Sequence, residues 1–198
     1  KFTLPLGVMT NNEITIFLGT IQGQVAGESL DKLSAISTSL SLQKGKTLME
    51  EGRPHDCFYL LVKGSAKAYH WNDGEAVCNW FAFENDILAT MGALDGKASN
   101  ESIELMEDST LIQINSIGFT RLAEHNSDVA RLGFHWLSEH TNFLEQQVAF
   151  RSLSARDRYE KITEAHPELL QRVSLRDLAS YLGMRQETLS RVRAKVRF

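Results

Sequence analysis

The stretch LRDLASYLGMRQETLSRVRAKVRF, residues 175–198, constrains the fold of this chain most strongly. Apolar residues recur at helical spacing on both sides of Gly183, where glycine allows a helix to end in a sharp turn. Ser174 precedes the first run and Asp177 follows three residues later, a pattern typical of a helix N-cap with an acid in the first turn. We therefore expect two short helices joined by a tight turn.

The residue sizes around this turn favour close packing of the two helices. Ala179 offers a small side chain at the crossing point, and a shared core is available from Leu178, Leu182, Met184, Leu189 and Val192. These spacings are those of a helix-turn-helix, whose second helix enters the DNA major groove. A plain helical hairpin is the alternative, but it gives no reason for so basic an exposed face.

The outward face of the second helix carries side chains suited to contacts with DNA. Arginine pairs with guanine, glutamine with adenine, and glutamate accepts from cytosine, so Gln186, Glu187 and Arg191 are candidates for reading bases. Thr188, Arg193, Lys195 and Arg197 are assigned to phosphates or solvent. The predicted DNA-contacting residues are Arg185, Gln186, Glu187, Thr188, Ser190, Arg191 and Lys195.

The charge of the chain is divided unevenly along its length. Its net charge is -4, yet residues 151–198 hold 11 Lys and Arg against 6 Asp and Glu, while the other 150 residues hold 10 against 19. An acidic body joined to a basic end indicates a module for a polyanion attached to a part that should avoid one.

Composition argues against several other classes of protein. No run reaches the roughly 18 apolar residues that span a bilayer, and the start KFTLPLGVMTNNEI has no basic region followed by an apolar one, so we expect no membrane association and a cytoplasmic location. Cys57 and Cys78 stand singly, without the spacing of a zinc or iron–sulfur site, so buried reduced thiols and no metal site are expected.

Residues 40–115 have the pattern of short strands separated by glycine turns. Aromatic and β-branched residues recur in imperfect alternation, and the segment WNDGE, residues 71–75, predicts a hairpin because Asp-Gly accepts positive φ at low cost. The pattern predicts an antiparallel barrel or sandwich.

A single long helix is predicted from Asp128 to about Arg151, with two apolar stripes at a spacing of three or four residues. One stripe is Phe134, Leu137, Thr141, Leu144 and Val148, and the other is Gly133, Trp136, His140, Phe143, Gln147 and Phe150. We expect one face to pack on the β domain and the other on a second copy of the chain. The alternative is a helix that only caps its own barrel. A further helix is predicted from about Ser154 to near Pro167.

Taken together, these residues resemble the transcription regulators related to the cyclic-AMP receptor protein, the Crp/Fnr family. The segment GKTLMEEGRPHDCFYLLVKGSAKAY carries Gly45, Gly52 and Gly64 at the turn spacings of a cyclic-nucleotide-binding β-roll, and ENDIL and a long helix follow. MRQETLSRVRAK is similar to the recognition helix of the family, whose base-contacting positions fall on Gln186, Glu187 and Arg191.

The resemblance implies an α+β fold with three parts. These are an antiparallel double-stranded β-helix, or jelly-roll-like β-roll, as a sensor domain at 1–127, a dimerisation helix at 128–151, and a small all-α helix-turn-helix domain at 152–198. It further implies a homodimer that binds a roughly palindromic site on double-stranded DNA and regulates transcription, with RNA polymerase as a further partner. Relatives usually continue into a β wing, whereas this sequence stops at Phe198.

The loop that grips the cyclic phosphate in nucleotide-binding relatives differs here. Thr90 stands where a ribose-binding glutamate is expected and Asn100 where a phosphate-binding arginine is expected, while Glu101 adds negative charge. A phosphodiester then has no cation to hold it, so cyclic AMP is not expected to bind and no cofactor is predicted. The candidate ligand pocket is Leu88, Ala89, Thr90, Asn100, Glu101 and Ser102.

Other functions remain as alternatives at this point. The clustered N-terminal cysteines of oxygen-sensing relatives are missing, and His55, His70, His135 and His140 are scattered, as surface or packing histidines usually are, rather than grouped as haem ligands. A nucleophile elbow and a glycine-rich phosphate loop are lacking, so an enzyme is not expected. The main alternative is a module for a cyclic nucleotide or another small ligand with a degenerate DNA-binding element.

Overall fold

The computed structural model describes residues 8–21, 25–167 and 169–195, without the side chains of Ile21 and Lys195. The chain divides into two compact units. The first comprises the described residues up to Ala68 together with Phe81–Leu137, and the second comprises Tyr69–Trp80 with the described residues from Ser138 onward.

The first unit is built mainly on β-strands, as the sequence predicted. Its strands fall into two four-stranded sheets, ordered β1-β8-β3-β6 and β2-β7-β4-β5, and the tips of β4 and β5 belong to the second unit. The paired strands of the first sheet and the pair β2–β7 are antiparallel. The strands are β1 (Ser37–Leu42), β2 (Thr47–Met49), β3 (Cys57–Lys63), β4 (Ala66–Asn72), β5 (Glu75–Ala82), β6 (Ile87–Leu88), β7 (Ser102–Leu105) and β8 (Ser109–Asn115).

The core of this unit forms where β3 pairs with β8. Every residue of β3 is buried except Lys63, as expected of a strand with a near-continuous apolar run. Leu60 lies opposite Ile112 and Leu61 opposite Leu111, so the register places large apolar side chains side by side. Burial of such side chains stabilises each by about 1.5–3 kcal/mol, which makes this pairing the centre of the fold.

Two turns explain why the sequence needs glycine or aspartate where it has them. Asp73 and Gly74 join β4 to β5 with φ of 50° and 81°, the left-handed pair of a tight hairpin, so the hairpin prediction is confirmed. Gly64, at φ 108°, lies so close to Ser109 that an added Cβ would overlap the serine side chain.

Helices cover the start and the end of the β-roll. The helices before and between the strands are α1 (Asn11–Ile21), α2 (Gly27–Ala35) and α3 (Met91–Asp95), and those that follow β8 are α4 (Ser116–His125) and α5 (Ser127–Arg151). The predicted strand around DILATMG is therefore only two residues of β6 followed by α3. Asn126 begins α5, because its Oδ1 accepts hydrogen bonds from the amides of Asp128 and Val129 at 3.1 Å.

The two stripes of α5 have different surroundings. In the first unit, Trp136 stacks on Phe119 at 5.5 Å between ring centroids and contacts Phe58 edge-on at 5.8 Å, and Gly133 also lies against Phe119. The stripe that begins at Gly133 is thus half-buried or buried along the helix. The other stripe, Phe134, Leu137, Thr141, Leu144 and Val148, is exposed throughout.

The second unit is helical apart from the β4–β5 hairpin. Its helices after α5 are α6 (Ala155–Ala165), α7 (Leu169–Arg172), α8 (Leu175–Tyr181) and α9 (Gln186–Lys195). Ser154 and Ser174 cap α6 and α8 by accepting from the amides of Asp157 and Asp177, as the sequence pattern indicates. The buried apolar residues described in this unit are Cys78, Phe150, Tyr159, Ile162, Leu169, Leu178, Ala179, Leu182 and Leu189.

Candidate nucleic-acid interface

The turn between α8 and α9 has the geometry of a helix-turn-helix. Gly183 has φ of 63°, and its amide donates to the carbonyl of Ser180 at 2.9 Å while the amide of Met184 donates to that of Ala179 at 3.0 Å. These bonds end α8 and redirect the chain within three residues. The position of α9 therefore follows from that of α8.

Burial along α9 separates one inward face from one outward face. Leu189 is fully buried against the core of the unit, and Val192 is half-buried one turn later. Six of the seven predicted DNA-contacting side chains are exposed, namely Arg185, Gln186, Glu187, Thr188, Ser190 and Arg191. Lys195 ends the helix, and its side chain lies outside the described residues, as does Arg197.

The exposed face is basic and begins at a helix N-terminus. Arg185, Arg191 and Arg193 are all exposed, whereas Glu187 is the one acid of the helix. The first turn of α9 also presents backbone amides, whose partial positive charge adds to that of the arginines. This face can accept the phosphates of a nucleic acid and place donors and acceptors beside base edges.

The residues of the predicted ligand pocket lie at the end of β6, at the start of β7 and in the segment between them, which contains α3. Leu88, Thr90 and Ser102 are buried, Ala89 and Glu101 are half-buried, and Asn100 is exposed. The Thr90 hydroxyl donates to Met49 Sδ at 3.8 Å, so it faces the core. The structure therefore brings Thr90 inward but leaves Asn100 on the surface.

Hydrogen bonds inside this loop occupy polar groups that an anion would need. Ser99 Oγ donates to the carbonyl of Glu101 at 2.5 Å and accepts from its amide at 3.3 Å. The amide of Ser99 donates to Arg53 at 2.9 Å, and that of Glu51 donates to Ser102 Oγ at 3.0 Å. Ser99 is a residue that the sequence pattern did not single out, because its role depends on the fold of the loop.

The candidate haem histidines have local roles. His55 Nε2 accepts from the amide of Glu50 at 2.9 Å, and His70 Nδ1 lies 2.9 Å from Asn79 Oδ1. His135 is exposed and His140 half-buried on α5. Among the residues that the structure describes, no group of three His, Cys, Asp or Glu side chains could hold a metal ion. Within the same residues, no helix combines the length and apolar character needed to cross a bilayer.

Residues 39–126 match the family model of the cyclic nucleotide-binding domain. The chain is also similar to the transcriptional regulatory protein btr of Bordetella pertussis, with 24% identity over 178 residues that cover 83% of this chain and 72% of btr. The family match covers the β-roll and α4, and the similarity to btr extends through most of the chain.

Solved structures show the same fold. FixK2 from Bradyrhizobium japonicum aligns with a TM-score of 0.68 and 21% identity over 81% of this chain and 84% of FixK2. The c-di-GMP-responsive global regulator CLP of Xanthomonas campestris aligns with a TM-score of 0.70 and 17% identity over 86% and 91% of the two chains. The order of a β-roll, a long helix and a helical C-terminal part is common to all three.

Proposed function

We propose that this protein is a sequence-specific DNA-binding transcription regulator of the Crp/Fnr type, because residues 39–126 match the cyclic nucleotide-binding domain, the chain is similar to the regulator btr, and its fold is that of FixK2. It acts as a homodimer on a roughly palindromic site in the cytoplasm, with RNA polymerase as its partner on promoter DNA. Its sensor domain responds to an effector other than cyclic AMP, or to none.

One observation carries this proposal. The second helix of a glycine-turned helix pair holds Leu189 in the core, and Gln186 and Arg191 on this helix and Arg185 just before it are exposed. That arrangement leaves the base-reading groups of a recognition helix in solvent while the packing below fixes their direction.

The exposed stripe of α5 supports the dimer. Leu144 is 48% exposed and Val148 is 73% exposed, although both are large apolar residues on the stripe beside the packed one. Exposed apolar rows on a 25-residue helix favour pairing with an identical helix, since a two-fold axis then buries both rows at once. A two-fold dimer would present α9 twice to DNA.

Selection of duplexes from a random-sequence pool by the full chain tests the proposal. We expect enrichment of a site with two inverted half-sites about 10 base pairs apart, since two recognition helices then fall one turn of B-DNA apart. A Gln186→Ala/Arg191→Ala variant should lose this enrichment. Arg121→Ala, which removes an exposed arginine from α4, is the matched control and should retain it. If no sequence is enriched, the proposed function is wrong.

The ligand-binding alternative rests on the family match alone. It predicts saturable binding of a small effector by a chain that enriches no DNA site. The same selection experiment therefore separates the two functions.

A further inference from the structure

The β4–β5 hairpin contacts the first helix of the helix-turn-helix through Ser180. The amide of Cys78 on β5 donates to Ser180 Oγ at 2.9 Å, and that hydroxyl lies 3.5 Å from the carbonyl of Ala76, toward which it can donate. Ser180 thus joins two backbone groups of the hairpin to α8, although about a hundred residues of sequence separate them.

The neighbouring residue, Tyr181, joins the same helix to α5. The two polar atoms of the Gln147 side-chain amide lie 3.0 and 3.4 Å from the Tyr181 hydroxyl, and the tyrosine ring stacks on Phe150 at 5.5 Å between centroids. Burial raises the pKa of Tyr181, and the nearby Cys78 thiol raises it further.

These contacts hold α8 at its C-terminal end, beside the turn. Gly183 and Met184 bond back to the last turn of α8, so a displacement of α8 displaces α9 with it. The contacts leave the outward face of α9 uncovered, because Gln186 and Arg191 are exposed while they are formed. A restraint that leaves the binding face open favours binding, since it removes motions that DNA would otherwise have to arrest.

We propose that Ser180 and Tyr181 are positioning residues that hold the DNA-binding helices in the DNA-competent arrangement, Ser180 by its contact with the β4–β5 hairpin and Tyr181 by its contact with α5. The proposal rests on the proposed function above. β4 begins and β5 ends in the first unit. A conformational change in their sheet would therefore reach α9 through the contact between the hairpin and Ser180. Linkage makes the effect reciprocal, so DNA bound to α9 must tighten the contact between Ser180 and the hairpin.

The buried thiol of Cys78 reports on this contact, and Cys57 provides an internal control. Both cysteines are buried and unoxidised, but Cys57 lies on β3 in the other unit. The unmodified full chain is labelled with a thiol reagent, with and without the duplex enriched by selection, and mass spectrometry follows each cysteine separately. We expect DNA to slow the labelling of Cys78 at least fivefold and to leave that of Cys57 unchanged.

Variants at Ser180 test the same contact from the protein side. Ser180→Ala should speed the labelling of Cys78 without DNA and weaken binding of the enriched duplex about fivefold, the equivalent of one hydrogen bond of about 1 kcal/mol. Ser180→Thr keeps the hydroxyl and should restore both. Ser152→Ala is the matched serine control, because the Ser152 hydroxyl donates to the carbonyl of Ala149 at the C-terminal end of α5. Thermal melting establishes that each variant is folded.

The outcomes separate this inference from the proposed function. If the chain enriches a duplex but DNA leaves the labelling of Cys78 unchanged or faster, the positioning role of Ser180 and Tyr181 is wrong. The proposed function as a DNA-binding regulator is then still supported. Unchanged or tighter DNA binding by a folded Ser180→Ala variant also overturns it. If no duplex is enriched, the proposed function itself is wrong, and the contacts of Ser180 and Tyr181 have no role in DNA binding.

Discussion

The guanidinium group of Arg158 on α6 lies against Gly183, the turn residue of the helix-turn-helix. A Cβ built on Gly183 would meet Nη1 of Arg158 at 3.4 Å, an ordinary contact distance. The Nε of Arg158 is buried and has no hydrogen-bond partner among the described residues. An added Cβ would therefore fit beside this arginine, and the need for glycine at the turn comes from its positive φ rather than from crowding.

Replacement of Gly183 by alanine tests that distinction. Gly183→Ala should lower the free energy of unfolding by about 1–2 kcal/mol, the cost of a left-handed residue that has a Cβ. Gly96→Ala is the matched control, because Gly96 has φ of 72° and no atom within 4 Å of the added Cβ. Equal losses in denaturant titration are expected. A much larger loss of unfolding free energy at Gly183 would mean that the Arg158 side chain does not accommodate the added methyl group.

Charge placed on the exposed stripe of α5 should prevent dimerisation. Leu144→Glu puts a carboxylate in each half of the proposed helix pair, where burial without a partner is costly. Gln146→Glu adds the same charge at an exposed position outside the stripe. Light scattering should show monomers for the first variant and dimers for the second. A dimer in both would place the interface elsewhere.

Cyclic nucleotides should not bind tightly at the predicted ligand pocket. Asn100 is exposed where a cation is needed, and Ser99 occupies the amide and carbonyl of Glu101. Calorimetry with cyclic AMP and cyclic GMP should therefore give no dissociation constant below about 1 mM, roughly -4 kcal/mol. Micromolar binding of either nucleotide would show that this loop opens to accept a phosphate.

Alkaline pH should destabilise the protein through its buried tyrosines. Burial raises the pKa of Tyr59 and of Tyr181, and the Cys57 thiol that bonds to Tyr59 raises its pKa further. The unfolded chain then loses these protons first, so the free energy of unfolding falls as the pH rises above about 10, the ordinary tyrosine pKa.

Denaturant titrations between pH 8 and 11 measure this slope. Tyr181→Phe keeps the ring and removes the titrating hydroxyl, so the slope above pH 10 should become shallower. The same substitution at Tyr59, the other buried tyrosine with a raised pKa, should also make the slope shallower. Identical slopes for all three proteins would contradict the role assigned to Tyr181.

Two basic residues of α9 should affect DNA binding in different ways. Arg191→Ala should cost about 1–3 kcal/mol per half-site and relax the preference at one base pair, as expected if the arginine reads guanine. Lys195→Ala should weaken all duplexes alike and reduce the salt dependence by about one charge per half-site. Gel shifts at graded salt with selected and random duplexes measure both. Equal effects on both duplexes would make Arg191 a phosphate contact instead.

The helix-turn-helix could be predicted from sequence because its determinants are local. Ser174, Gly183 and Leu189 act within one or two turns of helix, where capping, φ preference and periodicity decide the structure. The hydrogen bonds of Ser99, in the segment between β6 and β7, could not be predicted in this way. Ser99 and Arg53 meet only because the strands around them pair, and neither residue type carries a signal of that contact.

Sequence alone determined the antiparallel β-roll, the long helix with two apolar stripes and the basic face of α9, since each follows from short-range periodicity and turn chemistry. Tertiary structure decided which stripe of α5 packs on the chain and which stays exposed. It also brought Ser180 to the amide of Cys78, a contact between residues far apart in sequence. The physical reason is that side-chain period and turn type are encoded within a few residues, whereas a contact between distant segments depends on how every intervening element packs.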